Sequence, residues 1–278
     1  MARPSLIPGL DAHSPLRLAA QELLAARLAD LRANEDGART LSVEAIHDLR
    51  VATRRLRAGL EVLCKESAPE VRSLGKALGE VRDLQIELEW LETRASDPEE
   101  RDRVGGALRD KLATAGARLQ LALDRWSRRD AARVVRVFGT ARSSGRLGGG
   151  WGASRLQSDL TALKPKLKSL RAAIVPEETH ALRKKVKKLK YEAELFREAY
   201  PRTVRKWTVA LTALQASLGD THDADLRCRW LDHNRAASAR LRGLAAKERA
   251  EVTQRLAREL KSWQRQDRLG GLRRALWD

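Results

Sequence analysis

An internal repeat narrows the fold of this chain more than any other feature. His47-Asp-Leu-Arg50-Val-Ala-Thr-Arg54-Arg55-Leu56-Arg57 returns 133 residues later as His180-Ala-Leu-Arg183-Lys-Lys-Val-Lys187-Lys188-Leu189-Lys190. Histidine, leucine and arginine keep their spacing, and each later basic position of the first copy is basic in the second. A second echo follows each copy. Leu78-Gly79-Glu80-Val81-Arg82-Asp83 runs on to Trp90-Leu91, and Leu218-Gly219-Asp220-Thr221-His222-Asp223 runs on to Trp230-Leu231. A repeat that carries both a core pattern and a charge pattern is one structural module used twice. Two related halves are expected, with two basic surfaces able to face a common polyanion.

The module is helical. Leu, Ala, Arg and Glu dominate the chain and strand-formers are scarce, which predicts an all-α fold. Ser14-Pro15, Asp97-Pro98-Glu99-Glu100 and Val175-Pro176-Glu177-Glu178 put proline at a first helical position. The first two stand behind a capping residue, and the latter two have acids in the first turn. Ala68-Pro69 and Tyr200-Pro201 mark further joints. Helices are expected near 14–34, 43–66, 70–95, 99–126, 130–142, 154–173, 177–199, 202–237 and 240–263, with a short C-terminal piece. The stretch Ser143-Ser144-Gly145-Arg-Leu-Gly148-Gly149-Gly150 is too rich in glycine to hold a helix and forms the joint between the halves.

In the first signature helix Ile46, Leu49, Thr53, Leu56, Leu60 and Leu63 share one face, and Leu182, Val186, Leu189, Ala193 and Phe196 repeat that stripe in the second. His47, Arg50, Arg54 and Arg57 recur at +3, +7 and +10, so they share a face too. At about 100° per residue that face lies roughly 110° from the centre of the apolar stripe, beside the packing seam. A cationic row beside a helix–helix seam lines a groove. The row spans about 15 Å along the axis, long enough to follow several successive phosphates. Few acids stand in register with it; Glu61 closes the first row and Glu194 its twin. Like charges at helical spacing repel by a few tenths of a kcal/mol per pair, a cost that a bound anion removes. Guanidinium groups grip phosphate oxygens at two points, and lysines add mobile charges.

The rest of the composition fits an anion-binding role. A formal net charge of +18 attracts polyanions from a distance. Cys64 and Cys228 make neither a disulfide framework nor a zinc-ligand spacing. One histidine per half, without a second His or Cys at +3 or +4, is a poor metal site. His47 and His180 suit anion contact or helix packing instead. The pair His222-Asp223 suggests a metal-dependent phosphohydrolase, but the matching position in the other half is Arg82, which cannot ligate a metal. Trp90 and Trp230 fall at matching places and are expected as core anchors; the other tryptophans are 126, 151, 207, 263 and 277. The signature helices offer only Tyr191 as a stacking aromatic, which weakens a single-stranded nucleic-acid reading and leaves phosphate-backbone binding. No 18-residue apolar run occurs, and the opening Met-Ala-Arg-Pro-Ser lacks a signal-peptide core, so a soluble cytoplasmic protein is expected.

The paired helices, each followed by its Leu-Gly-acid-x-x-Asp segment, resemble the CHAD family of conserved-histidine α-helical domains. The resemblance runs from about Ser14 to Trp263 and includes both repeats in order. It implies one domain over 1–278 made of two four-helix bundles from an internal duplication, 10–145 and 151–265, related by a pseudo-two-fold axis. It further implies a basic central groove that binds inorganic polyphosphate. The binding positions carried over are His47, Arg50, Arg54 and Arg57 with His180, Arg183, Lys187 and Lys190, and Arg55, Lys184 and Lys188 at the edges. Many relatives carry a fused CYTH-type triphosphatase domain, for which this chain has no room. The expected protein is therefore a standalone binder without catalytic residues, metal or cofactor, associated with polyphosphate granules, with no membrane partner and only weak or non-specific nucleic-acid binding. The rivals are a nucleic-acid-backbone-binding protein and a metal-dependent helical phosphohydrolase.

Overall fold

The expected helices form, and their apolar stripes supply the core. The structure, a computed structural model, describes Ser5, residues 7–172 and residues 174–276. Residues 1–4, residue 173 at the end of the expected 154–173 helix, and Trp277 lie outside the described residues. Among those described the fold is all-α; the one β-type contact is an isolated bridge between Pro15 and Arg146. No described helix is long and apolar enough to cross a membrane. The chain divides into two compact units, Met1–Leu147 and Gly148–Asp278.

The first unit contains α1 (Leu16–Arg32), α2 (Glu35–Arg39), α3 (Val43–Gly59), α4 (Pro69–Arg94), α5 (Pro98–Arg125) and α6 (Ala131–Val137). Helix α3 packs on α1, α2 and α4, and α4 packs on α5. Its predicted stripe, from Ile46 through Leu63, is buried at every position. The second unit contains α7 (Gly150–Thr161), α8 (Lys164–Ala172), α9 (Pro176–Leu195), α10 (Pro201–His233), α11 (Ala239–Arg265) and α12 (Arg268–Arg274). Here α9 packs on α7, α8 and α10, and α10 packs on α11. The stripe from Leu182 to Phe196 is again buried throughout. Each signature helix thus sits at the middle of its own unit, backed by the helix that carries the Leu-Gly-acid segment.

Local chemistry explains most helix ends. Pro69, Pro98, Pro176 and Pro201 each open a helix, and Ser42, Asp97 and Ser238 cap α3, α5 and α11 through their side chains. Pro15 departs from expectation. It lies just outside α1, and the Ser14 side chain bonds Asp11 instead of capping the helix. Helix α3 runs on as a π turn, Leu60–Cys64, and stops where Lys65 turns left-handed at φ 61°.

Two other differences come from packing. The expected 154–173 helix breaks between α7 and α8, and it begins earlier, at Gly150. Gly152 is needed inside it because a Cβ there would stand 2.7 Å from the Phe196 ring. Helix α2 has no periodic signal because a single turn has none. Trp90 is a core residue, as expected, whereas Trp230 is only half-buried.

The equivalent core leucines test the fold. Leu56→Ala and Leu189→Ala should each cost about 2–5 kcal/mol in urea unfolding, as cavities in a closed core do. Leu121→Ala, at a position 71% exposed, should stay within about 0.5 kcal/mol.

Candidate functional site

Enclosure of α3 decides what its surface can do. From Leu49 to Leu60 every residue is buried except Arg50, Arg54 and Arg57. Half-buried His47 heads the same row one turn earlier. The basic row is therefore the one strip that neighbouring helices leave open along this stretch. Arg50 donates to the Asp83 carboxylate of α4 at 3.2 Å and is only 18% exposed. Its guanidinium lies over Gly79, where a Cβ would sit 3.7 Å from Nη2. Arg57 stands 3.5 Å from Glu61, and Arg54 has no ion pair or hydrogen bond among the described residues. From α4, Arg82 joins the row with its Nη1 enclosed and lacking a hydrogen-bond partner among the described residues. Burial lowers the His47 pKa; Asp48 pulls the other way, while Arg82 and Arg50 lower it further.

The second unit repeats this arrangement of arginine, glycine and aspartate, with one change beside it on the partner helix. Arg183 of α9 stands 3.7 Å from Asp223 of α10 and is only 15% exposed. Its Nε lies 3.9 Å from where a Cβ on Gly219 would be. The Leu-Gly-acid-x-x-Asp segment thus plays the same part in both copies: its glycine lies against the arginine, and its last aspartate orients it. The change is at the position of Arg82, which here is His222. Its ring lies beside His180, with centroids 4.8 Å apart and planes tilted by 32°. The His180 Nδ1 is enclosed without a hydrogen-bond partner among the described residues. Burial, then Arg183, His180, Lys187 and Arg229, push the His222 pKa down to about 4. His180 is lowered by burial and by Lys184, Arg183, Lys187 and Arg229.

The remaining expected site residues divide three ways. Lys187 is half-buried in the row and Lys184 is exposed at its edge. Lys188 is drawn toward α7, 3.4 Å from the fully buried Glu192 and 3.9 Å from Asp159. Arg155 also holds Glu192, at 3.1 Å, and burial together with the neighbouring Asp159 carboxylate, which accepts from protonated Glu192, raises the Glu192 pKa to about 7. Arg55 and Lys190 are not on the surface at all. Both are buried, and Lys190 Nζ lies 5.9 Å from the centre of the Tyr191 ring. The cause is that helices α3 and α9 are covered on more sides than one apolar stripe requires. Three cationic-surface residues were not expected: Arg82, His222 and Arg229, all on the partner helices. The column pairing Arg82 with His222 in the repeat pointed to the first two; nothing in the repeat pointed to Arg229, which aligns with Glu89. Tyr191 is buried, so the signature helices present no stacking ring.

Chemically, each surface offers several N–H donors from recessed cations, with one aspartate holding one arginine. That suits an extended oxyanion. Among the described residues no three His, Cys, Asp or Glu side chains gather as a metal site.

The sequence matches the CHAD domain over residues 22–232, and the chain belongs to that family. Its fold is similar to the crystal structure of the CHAD domain from the plant Ricinus communis, at 21% identity and a TM-score of 0.63, covering 99% of this chain and 96% of that one. It is also similar to PptA from Streptomyces chartreusis, at 18% identity and a TM-score of 0.62, covering 90% of this chain and 100% of that one. No curated protein is significantly similar in sequence.

The lowered His222 pKa has a consequence for stability. The unfolded chain binds a proton at this position near pH 6.5 and the folded chain only near pH 4, so stability falls as pH drops between these values. At this half-buried position solvent screening reduces the loss to about 1–2 kcal/mol. Urea unfolding at pH 7 and pH 4.5 should show that loss, and His222→Gln should remove it.

Proposed function

We propose that this CHAD-family chain binds inorganic polyphosphate on its two basic helix surfaces and acts without hydrolysing it. One observation carries the reading: the strip left open along the enclosed helix α3 is cationic, and every residue of α9 left open from Arg183 to Lys188 is basic. A row of this kind lets a linear polyanion replace its counterions with fixed guanidinium and ammonium groups, adding directed hydrogen bonds to the electrostatic gain. The family resemblance supports polyphosphate as the polyanion, and binding along a long chain would bring the protein to polyphosphate granules.

Recession of the row favours a thin, flexible chain over a duplex. Arg50 and Arg183 are each less than one-fifth exposed, and a rigid helix roughly 20 Å wide, by the groove dimensions of B-DNA, meets protruding groups first. Absence of hydrolysis is supported by the acids nearest the rows. Asp83 and Asp223 are each engaged by an arginine, whereas phosphoanhydride cleavage usually relies on carboxylates free to position a metal or water.

Site charge and bulk charge can be separated by paired substitutions. Arg50→Ala with Arg54→Ala, or Arg183→Ala with Lys187→Ala, should weaken binding of long-chain polyphosphate by about tenfold or more, the loss of two charge-assisted contacts. Arg273→Ala with Arg274→Ala removes as much charge from an exposed surface and should have much less effect, because screening confines such charges to about 8 Å. Equal losses in both sets would show a diffuse polycation. Duplex DNA that binds as tightly as polyphosphate at physiological salt would favour the nucleic-acid reading.

The purified protein with Mg²⁺ or Mn²⁺ should leave long-chain polyphosphate intact on gels. Metal-dependent phosphate release that disappears in His222→Ala would make the protein a hydrolase.

A further inference from the structure

We propose that the second unit takes up protons as it binds a phosphate chain, so that His180 and His222 form an acid-strengthened anion site while the first unit, with Arg82, holds a charge that pH does not change. The proposal rests on the polyphosphate reading and adds its regulation. Geometry separates the two units most sharply at one position. The first places a guanidinium, charged at every physiological pH, near its histidine. The second places an imidazole there, 4.8 Å from the His180 ring.

The charged groups that weigh most on the two rings favour the neutral state. On α9 these are Arg183, Lys184 and Lys187, and on α10 Arg229. The acids on the surrounding helices are turned to partners of their own. Asp223 faces Arg183, Asp220 and Asp225 face Arg255 and Arg249 of α11, and Glu178 faces Lys166 of α8. Glu192 faces Arg155 of α7. Two imidazoles are thus left among cations, and His180 keeps an enclosed ring nitrogen without a hydrogen-bond partner among the described residues. A phosphate chain entering the row reverses the local sign. Its oxygens favour imidazolium and accept the N–H that protonation creates.

Linkage then sets the direction. A ligand that raises the pKa of a group on binding is bound more tightly as pH falls through the raised value, and the effect ends once the free protein is itself protonated. Each histidine whose pKa rises by one unit adds about tenfold in affinity across that window.

Calorimetric titration of the full chain with long-chain polyphosphate tests this, at constant ionic strength, at pH 8 and pH 5.5, in two buffers of different ionisation enthalpy. Long chains keep titratable end groups few. The Kd should fall about tenfold or more toward pH 5.5, and the apparent enthalpy should differ between buffers in the sense of proton uptake. His222→Arg, which copies the first unit, should bind more tightly at pH 8 and show a shallower pH dependence. His222→Gln should bind more weakly at pH 5.5 than the unaltered chain and take up fewer protons. If either variant fails to fold by circular dichroism, the other carries the test. Equal affinity at both pH values with equal enthalpies in both buffers overturns the proposal. So does proton uptake that persists undiminished in the folded variants, which would place it on Glu192 or elsewhere. No binding at either pH overturns the polyphosphate reading itself.

Discussion

Everything distinctive about this protein depends on how α3 and α9 are packed among their neighbours. A row of arginines on a helix at the edge of a bundle is a solvated face with mobile side chains. On a helix packed against neighbours on several sides, the same row becomes a recessed strip whose walls are fixed by the core. The stripes Ile46–Leu63 and Leu182–Phe196 supply that fixing, since each of their residues is buried. Apolar burial is non-directional, but close packing makes its result rigid. The helix backbone therefore holds the cations at their spacing along about 15 Å.

Within each strip one acid holds one arginine. Asp83 with Arg50 and Asp223 with Arg183 cancel little of the total charge, and at half-exposed positions such pairs stabilise weakly. Their effect is orientation: each guanidinium is laid over the glycine of the adjacent helix, and its rotamer freedom is spent before a ligand arrives. Cations set close along each row repel one another, on a chain whose net charge is already +18. A bound polyanion relieves that repulsion and stabilises the folded chain by mass action.

The two units are variants of one device. At the helical angle of the buried Val51 and Ala52, the second unit has Lys184 and Lys185, both exposed. Where the first unit has half-exposed Arg57, the second has Lys190 sunk beside Tyr191. Arg82 against His222 is the sharpest difference, because it exchanges a permanent charge for a conditional one.

The sequence by itself determined the helices, the repeat, the two apolar stripes and the cationic face beside them. These follow from composition and from a period of 3.6 residues, both local properties. Proline marked the starts at Pro98 and Pro176 and the joints at Pro69 and Pro201 because its missing N–H and preset φ act within one turn, whereas Pro15 stays just outside its helix, where it makes a strand-like contact with the distant Arg146. Tertiary structure alone decided which residues of the cationic face reach solvent. Periodicity gives an angle around a helix but not what lies opposite it, so Arg55 and Lys190 read as surface residues and are buried. It also decided that Arg82, His222 and Arg229 join the rows, since they come from another helix whose register is set by packing. The same cause split the 154–173 helix and put Gly152 against Phe196. Side chains from separate helices meet only where burial of both stripes brings them together, and no spacing along the chain records that meeting.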